Sequence, residues 1–494
     1  MPKKLPIFYS ALMLTGVNLL LRFISTSFQV FISGRLGAAG VGLLQLVMSV
    51  GSLAMTAGMA GVRTATMYLT AEELGKKRPG NVTWVLRSSL VYSVMCSGTL
   101  ALALYFAAPW IAEHWIGKQE TADSLRLFSV FLPVVCMCGC MTGYFTAANR
   151  IGTLAAVEIC EQLASMVVTM TALTLWAGTD PGRACQSVIL GSSLGAILTL
   201  SCLLLLRWLH RPKSAVRIPV AKRLLHTAVP LALADDLKVG INTTENLMVP
   251  KRLALYPGTD APLAAFGMVC GMVFPVLMFP AAILFALAEL LIPELARCAA
   301  AGSLQRIQYL AKRSLRIALL YGCLCGGVLF LLSGKLCTWL YDSAEAGSHL
   351  SIYAFLTPML YCDAITDAMT KGLGQQKTAV RYNILTAMLD LAGLYILLPR
   401  YGMTGYFISF FISHAVNFLL SLNLLIRTAK IRLSFSAVAL TLSAVLAAGL
   451  GATFVHDPLL RLIAFLGLFG SLLTLFGVVS MADLRWILRL ITKK

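Results

Sequence analysis

Charged residues are scarce in this chain. Only 12% of its 494 residues are Asp, Glu, Lys or Arg, whereas 58% are hydrophobic. Nearly all of the chain must therefore lie in or beside hydrocarbon, which excludes a soluble domain of useful size. The apolar residues gather in stretches of about twenty, the length with which an α-helix crosses a bilayer. The sequence predicts an all-α integral membrane protein.

Motifs of catalysis and metal binding are missing. The six histidines are scattered, and the chain contains neither HExxH nor GxSxG nor a phosphate-cradling loop. Of the thirteen cysteines, the run Cys136, Cys138 and Cys140 points to different sides of one helix, so its thiols are expected to pack as small apolar groups. We expect no disulfide framework, metal or cofactor, and an integral-membrane transferase is the least favoured alternative.

The apolar pattern predicts fourteen membrane spans. They are expected at 7–32, 39–66, 86–112, 125–147, 152–178, 184–206, 226–255, 262–292, 315–340, 348–370, 378–398, 402–426, 434–455 and 459–482. A basic linker at 207–225 contains Pro212 and Pro219 and divides the chain. We expect two six-helix lobes, 1–206 and 226–430, followed by two further helices and a tail in 431–494.

Basic residues set the expected orientation. Lys and Arg number 40 against 21 Asp and Glu, a net charge of +19, and most of them fall in loops on one side of the predicted membrane. The positive-inside rule places that side, with both termini, in the cytoplasm of a cell membrane. Anionic lipid explains the basic excess, and no aromatic-interleaved basic domain suggests nucleic acid.

Two segments indicate an internal repeat. Leu20–Gly40 can be laid over Asp236–Tyr256. The overlay pairs Arg22 with Lys238, Gln29 with Glu245 and, after a one-residue gap, Arg35 with Arg252. Each match leads into a second apolar helix that ends in acidic residues. Six spans in each half, starting on the same side, predict a parallel repeat about an axis along the membrane normal.

Each of the two helices that contain these segments has a polar stripe on one face. The stripes comprise Asn18, Arg22, Ser25, Gln29 and Ser33 in the first helix, and Asp235, Lys238, Asn242, Glu245 and Arg252 in the seventh. A charge near the bilayer centre costs about 2.5 to 3.5 kcal/mol and usually marks a pathway. Arg22 lies roughly 22 Å from the cytoplasmic start of its helix, too far to reach water there.

Four cations are therefore candidates for binding a polyanionic head group at successive depths: Arg63, Arg22, Lys238 and Arg252. Asn18, Gln29 and Glu245 are expected to complete that site. The alternative is structural. Lys238 would then pair with Asp235 or Glu245 within its own helix, and the arginines near helix ends would extend to the interface.

A cation site is also predicted. Asp235, Asn383 and Asp390 supply oxygen ligands that could hold Na⁺ or a proton. The alternative is that each of them makes an isolated hydrogen bond between helices.

Several motifs resemble one family. The segments LLRFISTSFQVFISGRLGAAGVGLLQL, AEELGKK, TENLMVPKRL and KGLGQQKTAVRYNI are similar to those of the stage V sporulation protein B group of oligosaccharide flippases. That group belongs to the multidrug, oligosaccharidyl-lipid and polysaccharide exporter superfamily, which also includes the lipid II flippase. The resemblance covers residues 7 to 430.

The resemblance implies two lobes around a cationic cavity and alternating access. It places Arg22 at the cavity arginine of the lipid II flippases, whereas Asn383 and Asp390, seven residues apart, match the family's cation site less well. The implied function is to flip a polyprenyl-pyrophosphate-linked saccharide to the outer leaflet, as a monomer among membrane lipids, with coupling to Na⁺ or H⁺ left open. A cation-coupled multidrug antiporter is the alternative.

Overall fold

The computed structural model describes residues 7–76, 79–148, 150–177, 180–209, 220–431 and 435–478. These residues form helices and no strand, as predicted, because a helix satisfies its own backbone N–H and C=O groups where hydrocarbon offers them no partner. The described chain forms two compact units. The first unit takes in the described part of Met1–Gly271 together with Leu394–Gly402, and the second takes in Met272–Gly393 and the residues from Met403 onward.

The described residues contain sixteen α-helices. They are α1 Ile7–Met59, α2 Val62–Gly75, α3 Pro79–Ile111, α4 Ala122–Ala147, α5 Ile151–Ala172, α6 Pro181–Leu209, α7 Ala221–Leu253, α8 Pro262–Met268, α9 Phe274–Met278, α10 Ala281–Ala300, α11 Leu304–Tyr341, α12 Ala344–Ala354, α13 Thr357–Gly372, α14 Gln376–Ala429, α15 Phe435–Thr453 and α16 Pro458–Leu475. Single π-helical turns at Ala112–Ile116, Leu173–Ala177 and Val269–Val273 extend or join some of them.

Nine helical stretches of the described chain are long and apolar enough to cross a membrane, or ten if the bent pair Pro262–Met278 and Ala281–Ala300 counts as one span. The number is below fourteen partly because two predicted pairs of spans are continuous. The 53 residues of α1 and the 54 of α14 would each run about 80 Å if straight, over twice the hydrocarbon thickness. Both are interrupted at a glycine: Gly37 has φ 65° and ψ 177°, and Gly402 has φ 56° and ψ −137°. Glycine adopts such positive φ values without steric cost.

Two further predicted spans differ from the observed helices. The segment 348–370 is divided between α12 and α13, and α13 has a proline in its first turn, where the missing N–H is tolerated but an incoming helix would be broken. The segment 226–255 is helical as α7, yet it is not among the apolar helices. Its charged residues, which include Asp235, Lys238 and Glu245, lower its hydropathy.

The first unit has its core around α2, α3, α4 and α7. Val62 and Leu69 of α2 are buried against Leu224 and Ala228 of α7. Cys140 belongs to the same cluster and is fully buried, in line with the packing role predicted for it. α7 also packs along α1. Thus α7, which starts the second lobe in the predicted division, lies in the first compact unit. Residues 210–219 of the linker lie outside the described residues, so the lobe boundary at 207–225 stays a prediction.

The second unit is organised around α11, which packs against α12, α13, α15 and α16. Phe465 and Phe469 of α16 are buried with Cys323 of α11. The start of α16 is fixed by Asp457, whose carboxylate accepts the N–H groups of Leu459 at 2.9 Å and Leu460 at 3.1 Å. Such a cap satisfies two of the backbone donors that a helix leaves free at its first turn.

Two glycines allow α1 and α8 to cross in direct backbone contact. A Cβ atom placed on Gly267 would lie 2.0 Å from the carbonyl oxygen of Ala38, and one placed on Gly42 would lie 2.3 Å from that of Leu263. The contact is reciprocal, since each glycine meets the carbonyl located four residues before the other. Small residues permit this close approach of membrane helices, where van der Waals packing drives association.

Gly267→Ala should therefore destabilise the first unit. The added methyl group meets main-chain atoms, which cannot rotate away, and overpacking of this kind costs about 1–3 kcal/mol. Gly240→Ala is the matched control, because Gly240 is helical and a Cβ atom placed on it would meet nothing within 4 Å among the described residues. Thermal unfolding in detergent should show a lower midpoint for Gly267→Ala only, and equal midpoints for the two variants would contradict the close crossing.

Candidate functional site

Arg22 is the least satisfied of the predicted cations. It lies in α1, is partly buried, and its Nε is buried without a hydrogen-bond partner among the described residues. A buried donor of a charged group that stays unpaired costs free energy. A guanidinium in this position is therefore suited to an anionic ligand, which would supply the missing acceptor. The side chain of Asn18, one turn earlier, lies outside the described side chains.

Gln29, on the same predicted stripe, makes a structural hydrogen bond. Its Nε2 donates to the carbonyl oxygen of Gly271 at 3.1 Å, within the π-helical turn that follows α8. A π-helical turn leaves main-chain groups with irregular pairing, and the glutamine amide satisfies one of them. This contact ties α1 to the segment after α8.

Arg63 and Lys238 are both exposed. Arg63 lies at the start of α2 and interacts electrostatically with Glu158 of α5. Glu161, one turn after Glu158, accepts a hydrogen bond from Thr199 Oγ1 of α6 at 2.6 Å. Arg63 is therefore near a carboxylate of another helix, without an ion pair to it among the described residues, and the separate helix patterns could not indicate this.

The ion pair between Lys238 and Asp235 that the structural alternative requires is not formed among the described residues. Neither residue forms an ion pair with any other described residue, although they are three apart on α7. The structural alternative therefore loses one of the two ion pairs that it gave to Lys238. Glu245 is partly buried on the same helix.

Arg252 is engaged in a structural contact. Its Nε and Nη2 donate to the carbonyl oxygen of Tyr395, at 3.2 and 2.8 Å, and its guanidinium lies 3.5 Å from the centre of the Tyr395 ring. Both residues belong to the first unit. The arginine uses its planar fork and its π-face at once, which lysine could not do. The structure therefore favours the structural alternative for Arg252.

A polar contact in the middle of α7 was missed from sequence. Thr243 Oγ1 donates to the carbonyl oxygen of Ser49 at 3.1 Å, and Asn246 Nδ2 donates to Ser49 Oγ at 2.9 Å. Thr243 and Ser49 are buried. Ser49 belongs to no polar stripe in α1, so the only available signal was the pair of amide and hydroxyl residues on α7.

A second missed cluster joins α2, α3 and α7. Arg223 of α7 donates to Glu72 Oε2 at 2.7 Å and to Glu73 Oε1 at 3.0 Å, and Glu73 Oε2 accepts from Asn81 Nδ2 of α3 at 2.8 Å. Glu72 also pairs with Lys76. The sequence placed these opposite charges at span ends on the same side, which was the signal that could have paired them.

The residues of the predicted cation site belong to different units. Asp235 is exposed in the first unit, and Asn383 and Asp390 are in the second. Asp390 is 5% exposed, and its Oδ1 accepts a hydrogen bond from Ser409 Oγ at 2.6 Å. The bond joins the two segments of α14 on either side of Gly402, a local contact of the kind expected in the alternative, and the three-residue site stays a prediction.

Asp363, another carboxylate of the second unit, is also bound by an uncharged side chain. Asp363 of α13 accepts both its hydrogen bonds from Asn417 Nδ2, at 3.0 and 3.3 Å. Asn417 Oδ1 lies 3.4 Å from the hydroxyl of Thr386. Among the residues the structure describes, no three His, Cys, Asp or Glu side chains group as metal ligands would.

The chain is similar to proteins of polysaccharide biosynthesis and sporulation. A family model described as polysaccharide biosynthesis protein matches residues 8–242. Stage V sporulation protein B of Bacillus subtilis (strain 168) is 22% identical over 411 residues, which cover 80% of this chain and 78% of that protein. Sporulation protein YkvU of the same organism is 21% identical over 391 residues, covering 75% and 83%.

Solved structures show the fold. The lipid II flippase MurJ in an inward closed conformation matches with a TM-score of 0.69 at 13% identity, covering 94% of this chain and 98% of that one. An inward-facing multidrug resistance MATE family transporter of the MOP superfamily matches with a TM-score of 0.67 at 13% identity, covering 84% and 99%. The fold is MATE- and MurJ-like, and the resemblance inferred from the sequence motifs is confirmed.

Replacing Arg252 should lower stability. Arg252→Leu removes two charge-assisted hydrogen bonds and the contact with the Tyr395 ring, for an expected loss of about 1–3 kcal/mol. Arg400→Leu is the matched control, since Arg400 follows Tyr395 by five residues on α14, is exposed, and has no hydrogen bond or ion pair within the described residues. Thermal unfolding of both variants measures the difference. An unchanged midpoint for Arg252→Leu, with transport abolished, would instead return Arg252 to the substrate site.

Proposed function

We propose that this protein is a flippase that carries a polyprenyl-pyrophosphate-linked saccharide, such as a cell-wall precursor, from the inner to the outer leaflet by alternating access. The observation that carries the proposal is Arg22, a membrane-helix guanidinium whose buried Nε has no partner among the described residues. Pyrophosphate oxygens are well matched to such a donor, since guanidinium and phosphate form paired, charge-assisted hydrogen bonds. Arg63 and Lys238 would add further positive charge for the head group.

The similar proteins support this substrate class. The matching family model is named for polysaccharide biosynthesis, and one structural neighbour is a lipid II flippase. The relatives from B. subtilis are named as sporulation proteins, so a lipid-linked saccharide used in sporulation or in cell-wall synthesis fits both. The lipid tail would stay in the bilayer while the cationic residues hold the head group.

The membrane potential supplies a driving force. A head group with about two negative charges gains about 2.3 kcal/mol per charge for each 100 mV when it moves outward from an inside-negative cell. The same potential draws the emptied cationic site back toward the inward-facing state. No nucleotide is needed for either step, and Asp235, Asn383 and Asp390 would bind Na⁺ or H⁺ only if coupling adds to this force.

The wider architecture forms part of the proposal. It comprises fourteen spans with both termini in the cytoplasm of the plasma membrane, a monomer, and two repeated lobes. One pair of contacts supports the repeat. Glu73 at the end of α2 binds Asn81 of the next helix, and Glu294 of α10 binds Arg306 of the next helix at 2.7 Å. Each predicted second helix of a lobe thus ends in a carboxylate bonded to the third.

A multidrug antiporter is the second candidate. It is favoured by the buried carboxylate of Asp390, by Asp363, and by the MATE transporters among the structural neighbours. Organic cations would be drawn to carboxylates, whereas the proposed flippase binds its substrate through cations.

Transport should depend on Arg22. We expect Arg22→Ala to abolish flipping at near-normal membrane abundance, because Nε has no described partner to leave unpaired. Arg22→Lys should restore activity only in part, since a point charge lacks the paired geometry of guanidinium. The measurement is the protection of a lipid-linked saccharide from a modifying enzyme added outside cells. Full activity of Arg22→Ala would remove this residue from the pathway.

The sign of the charge in the binding site distinguishes the flippase from the multidrug antiporter. A lipid pyrophosphate at about 100 times its dissociation constant should stabilise the purified protein by about 2.7 kcal/mol, visible as a higher melting temperature. Cationic dyes should give no such increase. Charge reversal of Arg22 together with Lys238 should erase the lipid effect. Stabilisation by dyes instead, or a lipid effect that survives the double reversal, would favour the antiporter.

A further inference from the structure

An ionic cluster joins the end of α2 to the start of α7, which the positive-inside rule assigns to the cytoplasm. Arg223 bridges Glu72 and Glu73, and Glu73 is also bonded to Asn81. The Glu73 side chain is 3% exposed, whereas that of Arg223 is 41% exposed. We call Arg223, Glu72 and Glu73 the α2–α7 clamp.

The clamp covers an apolar contact between the same two helices. Directly beyond it, Leu224 and Ala228 of α7 are buried against α2. Further along α7, Thr243 and Asn246 bond to Ser49 of α1. The α7 helix is therefore attached to α2 at its start and to α1 in its middle.

The outer end of α7 is attached in a different way. Lys251 Nζ donates to the carbonyl oxygen of His114, at the end of α3. The next residue, Arg252, is bound to Tyr395 of α14, so the Lys251 bond is the contact of this end with the segment that follows α3. The clamp, by comparison, joins two carboxylates of α2 to one guanidinium. Alternating access requires each end to open in turn, so the clamp and the Lys251 contact cannot both persist through a transport cycle.

We propose that the α2–α7 clamp is the latch of the inner gate: the binding site opens to the cytoplasm only when Arg223 leaves Glu72 and Glu73. This inference rests on the proposed function, because a latch has a purpose only in a carrier that alternates. The partial exposure of Arg223 lets water replace one carboxylate while the other is released, which permits opening. Glu73 keeps Asn81 as its partner after release, so its buried carboxylate is not left without a donor.

Accessibility of a deep position tests the latch without any substrate. In a background free of native cysteines, Asn242→Cys lies on α7 about 28 Å beyond Arg223. An impermeant maleimide is added to the cytoplasmic face of inverted vesicles. Arg223→Gln should raise the labelling rate of Cys at 242 about tenfold, which corresponds to about 1.4 kcal/mol in the opening equilibrium. Lys76→Gln is the matched control: it removes the other ion pair of Glu72, within α2, and should change nothing.

The reverse experiment locks the clamp. Cysteines that replace Glu72 and Arg223 are joined by a short, reducible bifunctional thiol reagent, because these long side chains separate backbones by more than a disulfide spans. Cross-linking should suppress labelling of Cys at 242 and stop transport, and reductant should restore both. A cross-linked Glu294→Cys/Arg306→Cys pair, which replaces the salt bridge of α10 and α11, should leave labelling and transport intact.

The outcomes separate the latch from the function. Unchanged labelling in Arg223→Gln, or labelling that persists in the cross-linked protein, would show that α2 and α7 stay together permanently and would overturn the latch. If labelling responds as expected but no lipid-linked saccharide is flipped, the latch is supported and the proposed function is not. The protein would then transport another substrate. A variant that does not fold is recognised from its melting curve. In that case the cross-linking experiment decides whether α2 and α7 separate.

Discussion

The fold depends on how a polar helix is kept inside an apolar protein. A charged side chain in hydrocarbon must find a partner, water or a ligand, and α7 carries Asp235, Lys238 and Glu245 within one helix. Neighbouring helices bind other polar residues of α7 at its start, in its middle and at its end. Arg223 binds carboxylates of α2 at the start, Thr243 and Asn246 bond to α1 in the middle, and Arg252 binds Tyr395 at the end. The helix that is least able to face lipid is therefore one of the most firmly attached.

The same constraint distinguishes arginines that look alike in sequence. Arg252 gives two N–H groups to one carbonyl and rests on an aromatic ring, so its desolvation is compensated within the protein. Arg22 has a buried Nε with no partner in the described chain. An arginine whose N–H groups are already bonded within the protein has few donors available for a substrate. Arg22 is for this reason the stronger candidate for binding, and Arg252 is the weaker one.

Glycine positions decide which helices can approach. Gly42 and Gly267 bring the backbones of α1 and α8 into contact, and Gln29 adds a hydrogen bond to the carbonyl of Gly271. The glycine contact joins the starts of the second and eighth predicted spans, and the Gln29 bond adds a contact from the first span to the eighth. The crossing is stabilised by backbone packing at the two glycines and by one hydrogen bond. Between helices in a membrane the hydrophobic effect contributes little.

The sequence by itself determined the class of protein and the positions of its polar groups. Runs of about twenty apolar residues and scarce charge predict membrane helices because hydrocarbon admits little else, and the motifs led to the correct fold resemblance. The stripes on α1 and α7 follow from helical periodicity, which is a local property. Only the tertiary structure decided which charges are paired. Arg223 meets Glu72 across about 150 residues, Arg252 meets Tyr395 across 143, and Asp235 does not meet Lys238 although they are three apart. Pairing depends on which helices pack together and at what rotation, and neither is contained in the period of a single helix.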